Sequence, residues 1–182
     1  FPVFFGIALT ASLVVVVVAA LPLLLSLILL FSFPSFTPTE ILYLYSLLPL
    51  SLLVLLAGSA FAYFMLLPPA VRFLLSIGSH VSTPMIRIGN YINLMLSLLF
   101  WMGIVFELPI ILFFLSRIGV VSPDFLARNR RWAIVISFVL GAIITPTLDP
   151  INQAFVAGPI IVLYEVGVLL SKVGARMRER NN

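Results

Sequence analysis

The chain contains no cysteine, a single histidine, and only ten Lys or Arg and six Asp or Glu among its 182 residues. Without cysteine there are no disulfide frameworks, thiolate metal sites or cysteine nucleophiles. His80 stands alone, so a metal site is not expected. Charged residues make up 9% of the chain, against about 25% in soluble domains, too few to cover an aqueous surface. Ten glycines without a period exclude collagen, and no polar tract is long enough for a disordered protein. No Gly-rich phosphate loop, HExxH, Ser/His/Asp set or intramembrane Asp pair occurs, so nothing points to an enzyme. Neither a cofactor nor a nucleic-acid partner is expected.

What is present is apolar. Hydrophobic residues make up 63% of the chain, against about 45–50% in soluble domains, and a bilayer is the solvent that fits. The expected fold class is an all-α integral membrane protein with about five transmembrane helices in a single polytopic domain. Each span needs about 20 apolar residues to cross roughly 30 Å of hydrocarbon. The candidates are residues 2–33, 41–66, 91–115, 132–145 and 154–171. The first is uncharged, divided by Pro22, and longer than one perpendicular crossing needs, which predicts a tilted or kinked helix. Its valine run does not alternate apolar with polar as a barrel strand does. The second is predicted to end at the LLPP of Leu66–Pro69, where successive prolines remove backbone donors. The loop 67–90 then contains VRFLLSIGSH, a candidate interfacial helix. The last two spans read as short, at about 21 and 27 Å for their apolar lengths.

Orientation follows from Lys and Arg in short flanking loops. Arg117, Arg128, Arg130 and Arg131 fall in loop 116–131, and Lys172, Arg176, Arg178 and Arg180 in tail 172–182. Two spans separate these groups, so eight of the ten basic residues share one side. That side is expected to be cytoplasmic, stromal or matrix, with loop 67–90 outside and the tail inside. Five spans then put Phe1 outside; an N-out start without a visible signal peptide is less common than an N-in start, so a preceding span is expected.

Few acids remain to be explained. Glu107 lies within the third span, where an acidic side chain costs about 2.5–3.5 kcal/mol on insertion scales and normally faces a protein interior or polar cavity. A helix-packing hydrogen bond is the plainer reading. Pro109, two residues on, leaves a backbone carbonyl of the preceding turn without its usual donor. Glu40 stands on the basic side without a Lys or Arg beside it: either it receives an arginine from a partner, or it occupies a first helical turn capped by Thr37 or Thr39. Asp149, in TPTLDP, reads as a turn acid or N-cap on the outer face. Glu165 reads as snorkelling or paired, with Lys172 or Arg176 as the candidate partners.

These residues resemble the TatC family, the multispanning core of the twin-arginine protein translocase. The resemblance rests on WMGIVFELPIILFFLSRIGVVSPDFLARNRRWAIVI, on GAIITPTLDPINQ and GPIIVLYEVGVLL, on LLAGSAFAYFMLLPPAVRFLL, and on the Pro, Pro, Glu order from ALP through FSFP to TPTE. It implies six spans, of which these five are the second to sixth, with a first span and an acidic N-terminal motif ahead of them. It implies that Glu40 helps read the paired arginines of a signal peptide, and that Glu107 faces a concave interior and meets the single-span partners TatA and TatB. Asp149 corresponds to an outer-loop acid. The implied activity is receptor and assembly platform for transport of folded proteins driven by the proton-motive force, in an oligomeric assembly among membrane lipids. The implied location is a bacterial or archaeal plasma membrane, or a thylakoid or mitochondrial inner membrane. Two other readings of the residues stay open: a fragment of a proton-coupled secondary transporter with Glu107 as proton carrier, and a purely structural membrane subunit.

Overall fold

The computed structural model describes residues 2–32, 38–78, 88–145 and 149–180. Among the described residues the fold is all-α, without strands. Helix α1 spans Pro2–Ser32 and α2 Pro38–Phe61; a π-helical turn, Ala62–Leu66, leads into α3, Leu67–Gly78. Helix α4 runs Ile88–Ile118, the short α5 Pro123–Arg128, α6 Arg130–Ile144 and α7 Pro150–Glu179. Among the described residues, four stretches are long and apolar enough to cross a membrane: Ala8–Ile28, Leu48–Phe73, Gly89–Ile118 and Pro150–Glu179. The apolar α6, with 15 residues, is about 22 Å long and falls short of that length.

Two boundaries differ from the sequence reading. The chain does not leave the helical path at Leu66–Pro69. The Leu67 N–H bonds back to the Ala62 carbonyl, a wider turn of the kind that accommodates a break in the regular helical hydrogen-bond ladder. Both prolines then occupy the first turn of α3, where missing N–H groups cost little. The proposed interfacial helix thus continues directly from the second span, with Arg72 exposed on it. His80 and Arg87 lie outside the described residues. The last helix is also longer than its apolar run, at 30 residues, or about 45 Å. Backbone hydrogen bonds close within the helix whatever the side chains, so it starts at Pro150 and carries the basic tail as far as Glu179.

Helix α4 is the hub: its largest interface is with α7, and it also packs on α2 and α1. Lipid is as apolar as leucine, so helices associate through close approach of small residues and through polar contacts rather than by apolar burial. At Gly174 of α7, a Cβ would lie 2.6 Å from the Phe113 carbonyl oxygen of α4, and at Gly167 it would lie 2.6 Å from Leu112 Cδ1. Gly141 of α6 lies under α7 in the same way, with the Gln153 carbonyl oxygen 2.9 Å from such a Cβ. The apolar core gathers Ala62, Leu66, Leu94, Leu98, Met102 and Val105 with Ile144, Val156 and Ile160. Outward-facing leucines, valines and phenylalanines, such as Leu13, Val16, Phe64, Ile136 and Val162, are exposed, as a lipid-facing surface requires.

The two basic clusters meet at one end of the bundle. Arg117 Nη1 donates to Met177 Sδ at 3.5 Å, the Arg178 guanidinium packs over Gly119, and Arg130 pairs with Glu165.

Candidate functional site

The site is built where α2 crosses α4. On α2 and the π-helical turn that follows it, Ser51, Leu55, Gly58 and Ala62 are all buried; their spacing of i, i+4, i+7 and i+11 puts them near one face. That face receives Phe106 of α4, whose side chain leaves no room for a Cβ at Gly58. The Phe106 ring lies 5.6 Å from that of Phe61. With the helices held this close, the residue after Phe106 reaches Ser51.

That residue is Glu107, 1% exposed. Ser51 Oγ donates to Glu107 Oε2 at 2.5 Å, while Oε1 is equally buried with no hydrogen-bond partner. A buried polar atom without a partner costs on the order of 1–3 kcal/mol, and in an apolar bundle it marks a place able to accept another hydrogen bond. Pro49 lies two residues before Ser51 inside α2, and Pro109 two residues after Glu107 inside α4. Each cannot return a hydrogen bond to the carbonyl one turn earlier, so polar backbone is added on both sides of the pair. One face of α4 also carries Gly103, where Val18 of α1 approaches to 3.1 Å of a would-be Cβ one turn before Glu107.

The other acids singled out in the sequence lie apart from this pair. Glu40 falls in the first turn of α2; its side chain lies outside the described residues. Asp149 is the N-cap of α7, followed by Pro150 at the first helical position, but its side chain makes no capping bond. Its carbonyl accepts from the Gln153 N–H at 3.1 Å. Glu165 Oε1 lies 3.0 Å from Arg130 Nε at the start of α6, so its partner is not Lys172 or Arg176 of its own helix. Helix geometry explains this: Lys172 and Arg176 lie seven and eleven residues further along the same continuous helix, about 10 and 16 Å of rise away, whereas α6 packs alongside α7. Beside it, the Tyr164 hydroxyl donates to the Leu126 carbonyl at 2.9 Å and ties α5 to α7. No cluster able to hold a metal occurs among the described residues.

Among the described residues, Ser51, Ser116, Ser137, Thr145, Asn152 and Ser171 are buried polar residues that the sequence reading does not single out, and Arg117, read there only as one of the basic flanks, is 6% exposed. Ser51 had one detectable signal, its place in the small-residue spacing of α2. Serines in an apolar run are otherwise unremarkable, because most turn their hydroxyl back on the helix.

The family described as Sec-independent protein translocase protein (TatC) matches residues 2–159. The chain is similar to the TatC of Carboxydothermus hydrogenoformans, 36% identical over 156 residues, which covers 86% of this chain and 64% of that protein. It is similar to the TatC of Aquifex aeolicus, 41% identical over 131 residues, covering 71% of this chain and 54% of that protein. Against these relatives it spans between about half and two thirds of their length. Among solved structures, the twin arginine translocase receptor TatC in DDM superposes with a TM-score of 0.78 at 38% identity, covering 92% of this chain and 74% of that one. A second structure of the twin arginine translocase receptor TatC gives 0.63 at 29% identity, covering 94% of each.

Proposed function

The chain belongs to the TatC family, and from that membership we propose that it serves as receptor and assembly core of a twin-arginine translocase, an integral membrane protein of transport rather than an enzyme. It recognises twin-arginine signal peptides and supports passage of folded proteins, driven by the proton-motive force. The observation that most supports a role in assembly is Glu107, a buried carboxyl with one oxygen held by Ser51 and the other without a partner. Because Glu107 is buried between α2 and α4, a polar residue on a single-span helix of the TatA or TatB kind would supply the missing hydrogen bond only as that contact opens to admit it, where such bonds contribute roughly 0.6–2 kcal/mol. Asp149, at the head of α7, would act at the opposite end, and Glu165 would hold α6 and α7 in register through Arg130.

Glu40 is the proposed signal-peptide contact, a carboxylate suited to a guanidinium fork. The basic end, where loop 116–131 meets the tail, faces the cytoplasm, stroma or matrix in this reading, supported by the placement of eight of the ten basic residues there. The spans proposed are 2–33, 41–66, 91–115, 132–145 and 154–171.

Site-specific photo-crosslinkers at positions 40 and 107 of the full-length protein test this. Position 40 should capture an arginine-pair signal peptide and position 107 a single-span partner. Absence of both adducts would remove the translocase roles of these residues. Glu107→Ala should weaken partner association more than Glu107→Gln, since glutamine keeps the hydrogen-bonding capacity; equal association of both variants and the parent would leave Glu107 a packing residue.

A further inference from the structure

The contact between Ser51 and Glu107 satisfies only half of the carboxyl. Oε2 accepts from Ser51 Oγ at 2.5 Å, while Oε1 is buried without a partner. Most buried polar groups find partners, so a stranded carboxyl oxygen calls for a reason beyond packing. Closing α2 on α4 also shuts that oxygen away from any other helix. Glu107 is 1% exposed and Ser51 5%, so a donor reaches Oε1 only after the two helices separate. The bond to Ser51 and a bond to a partner therefore belong to different arrangements of the same crossing.

The crossing is built to part on the α2 side. Helix α4 has its largest interface with α7, where Gly174 brings the two backbones together, so α4 is held from behind. On α2, Leu52, Leu53 and Leu56 are exposed, and lipid tails give way to a moving helix. The stretch bearing Ser51 also lies between two breaks in the hydrogen-bond ladder. Pro49 cannot bond back to the Tyr45 carbonyl, and the π-helical turn Ala62–Leu66 follows at the other end. Helices bend at such interruptions, so this stretch can tilt away from α4 without unwinding. Around the Ser51 bond the crossing is apolar, with Leu55 buried and Gly58 closed on Phe106. Apolar faces in lipid gain little from meeting one another, which leaves the hydrogen bond a large share of the closure.

We infer that the hydrogen bond from Ser51 to Glu107 is a latch, which keeps α2 on α4 and withholds Glu107 until a single-span helix bearing a polar side chain in its apolar run displaces it. The inference rests on the reading of Glu107 as a partner contact. In the latched state one carboxyl oxygen is held and the other stranded. In the partnered state the entering side chain bonds the carboxyl, and the Ser51 hydroxyl turns to a carbonyl of its own helix, as Ser26 and Ser137 do at 2.8 and 2.7 Å. That local bond is ordinary for serine in an apolar helix. The exchange loses no hydrogen bond when the entering helix has an N–H or O–H to donate. A lipid tail or an all-apolar helix has none and leaves the latch shut. Apparent affinity scales with the fraction of molecules that are open, so Ser51 lowers association and reserves Glu107 for a helix with a polar group.

The test measures association in lipid nanodiscs between the full-length protein, carrying an acceptor dye on tail 172–182, and a donor-labelled single-span subunit of the TatB kind, read by energy transfer. Ser51→Ala should tighten association about tenfold, because loss of one buried hydrogen bond raises the open fraction by that factor. A side chain that merely supported the site would weaken association when removed. Gly58→Ala opens the same crossing without touching a polar atom. Its new Cβ would lie 2.8 Å from Phe106 Cβ, which is fixed to α4, and association should tighten severalfold. This variant carries the test if Ser51→Ala fails to give a monodisperse, helical protein. Gly174→Ala, which loosens α4 from α7 instead, should leave association unchanged. In a Glu107→Ala background Ser51→Ala should have no effect, since no latch is left to release. Parent association that Glu107→Ala leaves intact would remove the reading of Glu107 as a partner contact, and the latch with it. Association that depends on Glu107 but is unchanged or weakened by Ser51→Ala or Gly58→Ala, or tightened as much by Gly174→Ala, would overturn the latch alone.

Discussion

Replacing Gly174 with alanine puts a methyl group into the closest contact between α7 and α4. The new Cβ would lie 2.6 Å from the Phe113 carbonyl oxygen and 3.3 Å from the Arg117 nitrogen. Both neighbours are helix backbone, so relief requires the two helices to move apart. Such overpacking costs about 1–3 kcal/mol, while alanine recovers up to about 1 kcal/mol of helix propensity lost to glycine. The net expectation for Gly174→Ala is a destabilisation of about 1–2 kcal/mol. Gly167→Ala makes an equally short contact, but with Leu112 Cδ1, the far end of a flexible side chain. Turning that side chain costs about 0.5–1.5 kcal/mol, so the same propensity gain nearly cancels it. Gly6 has nothing within 4 Å of its would-be Cβ, so Gly6→Ala should be neutral or stabilising by at most about 1 kcal/mol. Equilibrium unfolding in mixed micelles of rising SDS fraction, followed by the fluorescence of Trp101 and Trp132, gives the three differences. The expected stability order is Gly6→Ala, then Gly167→Ala, then Gly174→Ala. A Gly174→Ala protein as stable as its parent, or a Gly167→Ala protein weaker than it, would refute the assignment of this interface to backbone contact.

Other substitutions test the polar contacts. Ser51→Ala leaves both Glu107 oxygens without a partner and should destabilise the bundle by about 1–3 kcal/mol; in the same unfolding assay, combining it with Glu107→Gln should cost less than the sum of the single changes. Tyr164→Phe removes the bond to the Leu126 carbonyl and should cost about 0.5–1.5 kcal/mol, with faster proteolytic cleavage near α5 as the readout. Glu165→Gln breaks an ion pair whose side chains are 49% and 40% exposed, so the loss should stay within about 1 kcal/mol and shrink further in high salt. Gly119→Ala meets both a left-handed backbone and the Arg178 guanidinium; the backbone alone costs about 1–2 kcal/mol, seen as a lower unfolding midpoint.

Several features were legible before folding because they depend on local composition. The apolar runs give the helices of α1, α4, α6 and α7, and scarce charge makes Glu107 conspicuous. Prolines misled the reading at Leu66–Pro69 because their effect depends on the turn that precedes them, and a π-helical turn there lets the helix pass. The last helix outran its apolar segment because hydropathy registers side chains, while the helix is held by backbone hydrogen bonds. At Glu165, proximity along one helix suggested Lys172 or Arg176, but the pair formed across helices with Arg130.

The sequence by itself determined the solvent, the helical class and the end of the bundle that gathers positive charge. Each follows from how many residues of a kind occur and in what order, and these properties survive any arrangement of the helices. Only the tertiary structure decided that Ser51 meets Glu107 and that Gly174 admits the backbone of α4. In a bilayer every helix face is apolar enough to meet lipid, so hydropathy does not distinguish the face that packs from the face that does not. The choice comes from steric fit between small residues and from which buried polar atoms find one another, and both exist only once the helices are side by side.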